Sequence, residues 1–338
     1  MALKPPVEVP QGAIRLNTDS NKLEFFAQDQ WWSMAINTPT LNGGVRAIWN
    51  IGEVASGASE YITISTQGNA VAFGNVSDTT YEGGAVSSRT RMVMGLGYTN
   101  PAYTNILEYF TFSQTGNAID FGDLNNSGGS TPAGTASSET RGVFAVGRVN
   151  PSKVNTIDYI TIASTGNAND FGDTVFVGSY AYGCGSPTRG VFCGGRENPS
   201  TVVNTLQFVT IASTGNAMDF GDLPYTSEFP TGVCSNATRG LYAGGSPGYI
   251  NNISYFQIQT QGNALDFGDL TVGRRCGGGG VSSETRAVFA GGLKSGGSNI
   301  NTCDYVTITT QGNAIDFGDT VAAGGTSGWG ASNGHGGL

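Results

Sequence analysis

Apolar and polar positions alternate in short runs along most of this chain, and the runs return about every fifty residues. The most regular is Tyr61-Ile-Thr-Ile64. It comes back as Tyr109-Phe-Thr-Phe112, Tyr159-Ile-Thr-Ile162, Phe208-Val-Thr-Ile211, Tyr255-Phe-Gln-Ile258 and Tyr305-Val-Thr-Ile308. Alternation of aromatic and β-branched residues with polar ones predicts half-buried strands. Behind each run stands Gly-Asn-Ala-x-Asp-Phe-Gly-Asp or a near variant, opening at Gly68, Gly116, Gly166, Gly215, Gly262 and Gly312, with intervals of 48, 50, 49, 47 and 50 residues. Ahead of each run another strand-like stretch begins, at Arg46, Arg91, Arg141, Arg189, Arg239 and Arg286. Ahead of five of those arginines lies a stretch of small residues, as in Gly277–Ser283. Four strands per interval make one antiparallel sheet, and a period near fifty built of strands predicts propeller blades, not a helical solenoid.

The copy beginning at Arg46 lacks a small-residue strand in front of it, and a matching stretch, Gly324–Gly334, follows the last copy. The expectation is an all-β, six-bladed propeller over residues 41–338, whose last strand completes the first blade and leaves no unpaired edge at the seam. Small residues suit the crowded innermost strands, and Tyr, Phe, Val and Ile suit the wider outer ones.

Composition narrows function. Charged residues are 12% of the chain, glycine occurs 53 times and the net charge is −9. Sixteen basic residues form no stripe for phosphates, so nucleic acid is not an expected partner. No apolar run approaches the ~20 residues of a membrane span, and Met1-Ala-Leu-Lys-Pro-Pro has no apolar core of a signal peptide, so folding in a cytoplasm is expected. Cys184, Cys193, Cys234, Cys276 and Cys303 are odd in number and not spaced as a disulfide framework; they read as buried thiols, not a metal site.

The repeat resembles the kelch repeat. Its Gly-Gly pair stands at Gly194-Gly195, Gly244-Gly245 and Gly291-Gly292 and is altered to Gly95-Leu-Gly97, Val146-Gly147 and Ile51-Gly52. Phe73, Phe121, Phe171, Phe220, Phe267 and Phe317 replace the tryptophan usual in kelch fourth strands. The resemblance implies the fold and carries over no partner.

Residues 1–40 read as a separate attachment segment. Ala13-Ile-Arg-Leu16 and Lys22-Leu-Glu-Phe-Phe26 flank a turn-rich stretch and predict a β-hairpin running to Trp31-Trp32. Gly12, Arg15, Asn17, Thr18, Leu23, Glu24 and Trp31 resemble a Gly-x-x-Arg-x-Asn-Thr…Leu-Glu…Trp element of bacteriophage tail fibres and other phage surface proteins. With glycine-rich kelch-like repeats, the combination is similar to phage virion proteins. That resemblance implies a virion component assembled in the host cytoplasm, as a tail fibre, spike or capsid decoration. It implies particle attachment through Arg15, Asn17, Phe25, Trp31 and Trp32, and leaves homo-oligomerisation open. The plainer alternative is a hairpin that caps one end of the propeller.

Catalysis is not expected. The single histidine, His335, sits in a glycine-rich terminus. A copper oxidase on such a scaffold needs paired histidines, a Ser-His-Asp triad needs a fixed histidine, and a sialidase needs an arginine cluster with a tyrosine nucleophile. The arginines recur at one repeat position, together with aspartates such as Asp120 and Asp123, and suggest structural Arg–carboxylate contacts. Calcium in the Asp-Phe-Gly-Asp turn is the alternative, short of the six to eight oxygens that ion prefers. No cofactor or metal is expected.

Turns between first and second and between third and fourth strands are short and repetitive, whereas the other connections differ in length and content. The varied end carries aromatics among Asn, Thr and Ser, a mixture suited to glycan or protein contact. Tyr98, Tyr103, Tyr180, Tyr182, Tyr225, Phe229 and Tyr249 are the candidate binding residues, possible partners being a host surface glycan or protein; unselected loop drift is the alternative. A carbohydrate-binding propeller outside any virus is the competing function.

Overall fold

The alternating runs form strands, and a computed structural model shows an all-β chain with no helix among the described residues. Those residues are 9–17, 22–33, 45–50, 57–78, 81–98, 103–125, 130–149, 152–325 and 328–338. Thr18–Asn21, Ile51-Gly52 and the centre of the Gly97–Tyr103 connection lie outside them. The chain divides into two units, Met1–Gly43 and Gly44–Leu338.

The smaller unit is a three-stranded meander, Ile14–Asn17, Lys22–Ala27 and Gln30–Ser33. A hairpin was expected; the third strand arises because Gln28 and Asp29 turn the chain back with φ of +53° and +58°. Two left-handed central residues define the hairpin turn that fits strand twist, and Asp tolerates it. Gln11 braces the turn, donating Nε2–H to Asp29 Oδ1 and accepting from the Gln28 N–H, both at 3.0 Å. One sheet face is polar at its centre: the Arg15 guanidinium and the Asn17 amide both donate to buried Glu24 at 2.9 Å, and Arg15 stacks on Trp31 at 4.1 Å. The register puts Ile14, Phe25 and Trp32 side by side on the opposite face. These, with Leu16, are 62%, 37%, 44% and 57% exposed respectively.

The larger unit holds six similar sheets. The first pairs Trp329–Ser332, Arg46–Asn50, Ala58–Thr63 and Val71–Asn75 in that order. The second pairs Gly84–Ser87, Arg91–Tyr98, Tyr103–Thr111 and Ile119–Asp123. The next four repeat this plan from Ser130–Ser137, Tyr182–Gly185, Gly232–Ser235 and Gly280–Ser282. Trp329–Ser332 runs antiparallel to Arg46–Asn50, with Trp329 opposite Asn50 and Ser332 opposite Ala47, and Trp329 is buried. The architecture is compatible with a β-propeller.

The hydrophobic core lies between sheets. One cluster joins Val86, Leu107 and Phe121 of the second sheet to Phe144, Ile160 and Ile162 of the third. Clusters of the same kind occupy the other junctions, including Val288, Cys303 and Phe317 of the sixth sheet against Ala47, Trp49 and Ile62 of the first. Each phenylalanine of the Phe-Gly-Asp element meets the third-strand ring of its own sheet edge-on at 5.8–6.2 Å.

The recurring octapeptide is an intersheet clasp. Its first glycine N–H donates to the phenylalanine carbonyl of the preceding sheet: Gly116 to Phe73, Gly166 to Phe121, Gly215 to Phe171, Gly262 to Phe220 and Gly312 to Phe267; Gly68 donates likewise to Phe317. The alanine N–H two residues on donates to the last carbonyl of that preceding element, as in Ala168 to Asp123 at 2.8 Å and Ala70 to Asp319 at 2.7 Å. The asparagine between them accepts, through Oδ1, the N–H of the same Asp or Asn, at 3.0–3.1 Å in all six copies. The backbones approach so closely that a Cβ on Gly172, whose φ is +148°, would stand 2.5 Å from the Gly215 carbonyl oxygen.

The repeated arginines make a second clasp, and the expected carboxylate partner is corrected. Each guanidinium lies over the third-strand ring of its own sheet, 4.2–4.6 Å from the centroid. Each donates Nη1–H to the carbonyl that ends the next sheet's third strand: Arg46 to Phe112, Arg91 to Ile162, Arg141 to Ile211, Arg189 to Ile258, Arg239 to Ile308 and Arg286 to Ile64. The ion pairs among the described residues are Arg15–Glu24, Arg89–Glu139, Arg196–Glu228 and Arg274–Asp304. Arginine stands on the second strand and aspartate on the fourth, with the ring-bearing third strand between them, so the ring and a carbonyl take the charge.

Candidate binding face

The small-residue strands line a narrow central cavity with Val86, Cys184, Val233, Cys234, Val281 and His335 among its walls. Serines link these strands: Ser87 Oγ donates to Ser332 O at 2.9 Å, Ser282 to Ser235 O and Ser235 to Gly185 O at 2.7 Å each, and Ser332 to Ser282 O at 2.5 Å. All five cysteines are buried and outside any disulfide, and burial pushes the Cys184 thiol up to about 12. Among the described residues no group of three or more His, Cys, Asp or Glu side chains is placed to hold a metal.

The repetitive-turn end of the cavity is covered by the C-terminal residues. The Gly336 N–H donates to Ser235 O at 2.8 Å, and a Cβ on Gly337 would collide with the Ser137 carbonyl. His335 Nε2 lies 3.1 Å from Ser87 O and 3.3 Å from Ser137 Oγ, while Nδ1 accepts the Gly337 N–H at 3.0 Å. An acceptor at one nitrogen and a donor at the other fix a neutral ring with its proton on Nε2. Burial pulls the pKa of His335 down to about 4, partly countered by the bond to Ser87.

The opposite end is built from the varied connections. In four sheets the strand-entry segment there pairs with the segment leaving the second strand of the same sheet: Tyr81 with Tyr98, Gly178-Ser179 with Arg196-Glu197, Glu228 with Ser246 and Arg274-Arg275 with Leu293-Lys294. This crossing explains the Gly-Gly pair. Gly195 has φ +110°, and a Cβ there would lie 2.8 Å from Ser179 O.

Four of the seven candidate residues meet at this end. Tyr98 and Tyr103 pack against each other at 4.9 Å between centroids with their rings tilted by 56°, and Tyr180 and Phe229 at 4.3 Å with a tilt of 33°. Arg148 joins the two pairs: its guanidinium lies 5.3 Å from the Tyr103 ring and is close enough to the Tyr180 hydroxyl to oppose the rise of its pKa. Arg196 stands 5.7 Å over Tyr180 and is held by two hydrogen bonds to buried Glu228, one of 2.7 Å. Lys153 Nζ lies 3.3 Å from the carbonyl oxygens of Arg196, Glu197 and Pro199. Glu82 completes the group; burial raises its pKa and nearby Arg148 opposes the rise. Burial also raises the Tyr103 and Tyr180 hydroxyls, with Glu82 adding to both, and both stay protonated at neutral pH. Lys153 is lowered by burial and then by Arg196, with Arg148 adding to the effect.

The other three candidates stand apart from this cluster. Tyr182 and Tyr225 pack against the hydrophobic cluster between the fourth and fifth sheets, and burial raises the Tyr225 hydroxyl to about 12. Tyr249 stacks under Arg275 at 5.3 Å. Of the proposed attachment residues, Phe25 and Trp32 lie on the exposed apolar face of the small sheet, whereas Arg15, Asn17 and Trp31 form the bracing network of its other face.

Glu82, Arg148, Lys153, Arg196 and Glu228 were not singled out from sequence, although a signal was present. Setting aside the six repeated arginines, the basic residues of the larger unit are Arg89, Arg148, Lys153, Arg196, Arg274, Arg275 and Lys294. All but Arg89 fall where second strands end or on the varied connections. Searches of protein-family models and of curated proteins found no match to this chain.

Proposed function

We propose that this chain is a non-enzymatic virion protein of a bacteriophage, a six-bladed kelch-like propeller carried on an N-terminal attachment segment and serving as a fibre, spike or capsid decoration. Closure of the propeller is supported by three kinds of contact that join each sheet to the next: hydrophobic clusters, the octapeptide clasp and the arginine clasp. Each kind also joins the sixth sheet to the first. Such a ring suits display, since its connections change without disturbing the contacts that hold it. Attachment to other virion proteins through residues 1–40 is supported by the exposed Ile14, Leu16, Phe25 and Trp32, and by the resemblance of residues 12–31 to phage fibre elements.

The observation that carries the reading is the contrast between the two ends of the sheets. One end repeats and is covered by the chain terminus; the other gathers aromatic and charged side chains from four sheets. That second end is the attachment face, directed to the host surface or to a neighbouring subunit. Cryo-electron microscopy of particles made with and without the protein tests this. A density of propeller size that disappears with the protein, together with loss of adsorption, is the expected result. Particles unchanged in both respects would rule the function out.

A further inference from the structure

The cluster around Arg148 has properties that a purely structural junction does not need. Glu82, Tyr180 and Phe229 all have left-handed backbones, with φ of +54°, +62° and +49°. Each stands two or three residues ahead of an innermost strand; Cys276, ahead of the sixth sheet's innermost strand, shares the conformation, but among the described strand entries only those at this cluster combine it with aromatic or charged side chains. Non-glycine residues in that region are strained, and such strain gathers where function places side chains. The Arg148 Nε is buried and has no hydrogen-bond partner. In a chain of net charge −9, Arg148, Lys153 and Arg196 converge here against Glu82 and Glu228.

We infer that this cluster is a binding site for an acidic saccharide, with Tyr103 and Tyr180 as stacking surfaces for sugar rings and Arg148 as the residue that holds the ligand's anionic group. The inference rests on the attachment-face reading and names its ligand class. Guanidinium groups match carboxylate and sulfate oxygens in a planar, two-bond geometry, and the Arg148 side chain is only partly buried. Protonated tyrosine hydroxyls donate to and accept from sugar hydroxyls while their rings cover the apolar faces of the sugar. Arg196, already held by Glu228, positions the Tyr180 ring and adds positive potential. A long polyanion such as nucleic acid would need a wider basic track than three cations provide.

The test uses the full chain and two matched probe pairs: oligogalacturonate against its methyl ester, and a short sulfated dextran oligosaccharide against the unsulfated oligosaccharide of the same length. Within each pair the sugar is shared and the charge is not. At least one acidic member should bind about tenfold or more tightly than its neutral match. Arg148→Ala should remove that preference, and Tyr103→Ala should weaken the bound acidic probe about tenfold. Tyr180→Asn, which keeps a residue tolerant of the left-handed backbone, should weaken it similarly. Arg89→Ala, at the opposite end of the sheets, should leave binding unchanged, and circular dichroism with thermal unfolding would show that each variant is folded. Equal binding of acidic and neutral probes overturns the ligand class while sustaining a glycan-binding face. Binding unaffected by Arg148→Ala overturns the site. No binding of any probe by a protein that still mediates adsorption overturns the saccharide inference alone, whereas failure in adsorption as well removes the attachment reading with it.

Discussion

A backbone that must pass within touching distance of its neighbour tolerates no side chain, and this explains why the second glycine of the octapeptide recurs in every sheet. Gly172→Ala places a Cβ 2.5 Å from a fixed carbonyl at φ +148°, whereas Gly215, at φ +156°, has nothing within 4 Å of its would-be Cβ. Gly172→Ala should therefore cost about 2 kcal/mol or more and Gly215→Ala about 1 kcal/mol, read as the difference in thermal unfolding. The arginines give a sharper contrast. Arg189→Ala removes a 2.9 Å hydrogen bond to Ile258 O and a cation–ring contact of 4.4 Å, and should cost about 1–2 kcal/mol. Asp219→Ala, in the same repeat, should stay within about 0.5 kcal/mol, because that aspartate is exposed. Matching losses in the two variants would restore the carboxylate pairing expected from sequence. The repeat pattern marked these arginines as structural but could not name their partner, because a carbonyl acceptor leaves no trace in residue identity.

Strand positions were legible because alternation is a local property: second strands begin at Arg46, Arg91, Arg141, Arg189, Arg239 and Arg286, where the pattern put them. The third strand of the small unit was missed because its turn, Gln28-Asp29, carries no glycine. The acidic residue before four of the five third-strand tyrosines was missed for a different reason. Glu60, Glu108, Asp158 and Asp304 fall on polar positions that would face water on a lone sheet, yet they are buried. They accept N–H groups of the connection leaving the preceding sheet: Val321 to Glu60, Ser77 to Glu108, Asn125 to Asp158 and Thr271 to Asp304. Asp304 also pairs with Arg274 at 2.9 Å, both side chains 0% exposed. Removing one member leaves a buried charge alone, so Asp304→Ala should cost about 3–5 kcal/mol. Adding Arg274→Met to Asp304→Ala should recover part of that loss in denaturant unfolding; a double variant no better than the single would show that the connection, not the ion pair, holds this junction.

At the scale of the whole molecule, the C-terminal residues complete one sheet and cover one end of the cavity, which couples both to the state of His335. Chain ending at Gly325 loses the partner of Arg46–Asn50 and uncovers Trp49 and Ile48, buried in the intact sheet. It should unfold at lower temperature, and a separate peptide of residues 326–338 should raise its midpoint again; a truncated chain as stable as the full one would contradict a closing role for that strand. Acid should act through the same segment. The folded pKa of His335 is pulled down to about 4 from the usual 6.5 by burial, which penalises the charged ring; a proton on Nδ1 would also have to displace the Gly337 N–H that this nitrogen accepts. Between those values the unfolded chain binds a proton that the folded chain refuses. Stability from this group is therefore complete above about pH 7 and is lost progressively as pH falls from 6.5 toward 4. Carboxylates titrate over part of the same range, so the informative quantity is the difference between native protein and His335→Gln. The glutamine variant should start less stable at pH 7.5 and lose less on going to pH 5, so the two midpoint curves converge. Curves that run parallel across that interval would mean that the histidine takes up its proton as readily in the fold as in the unfolded chain, and that the tail is held by its glycine backbone contacts alone.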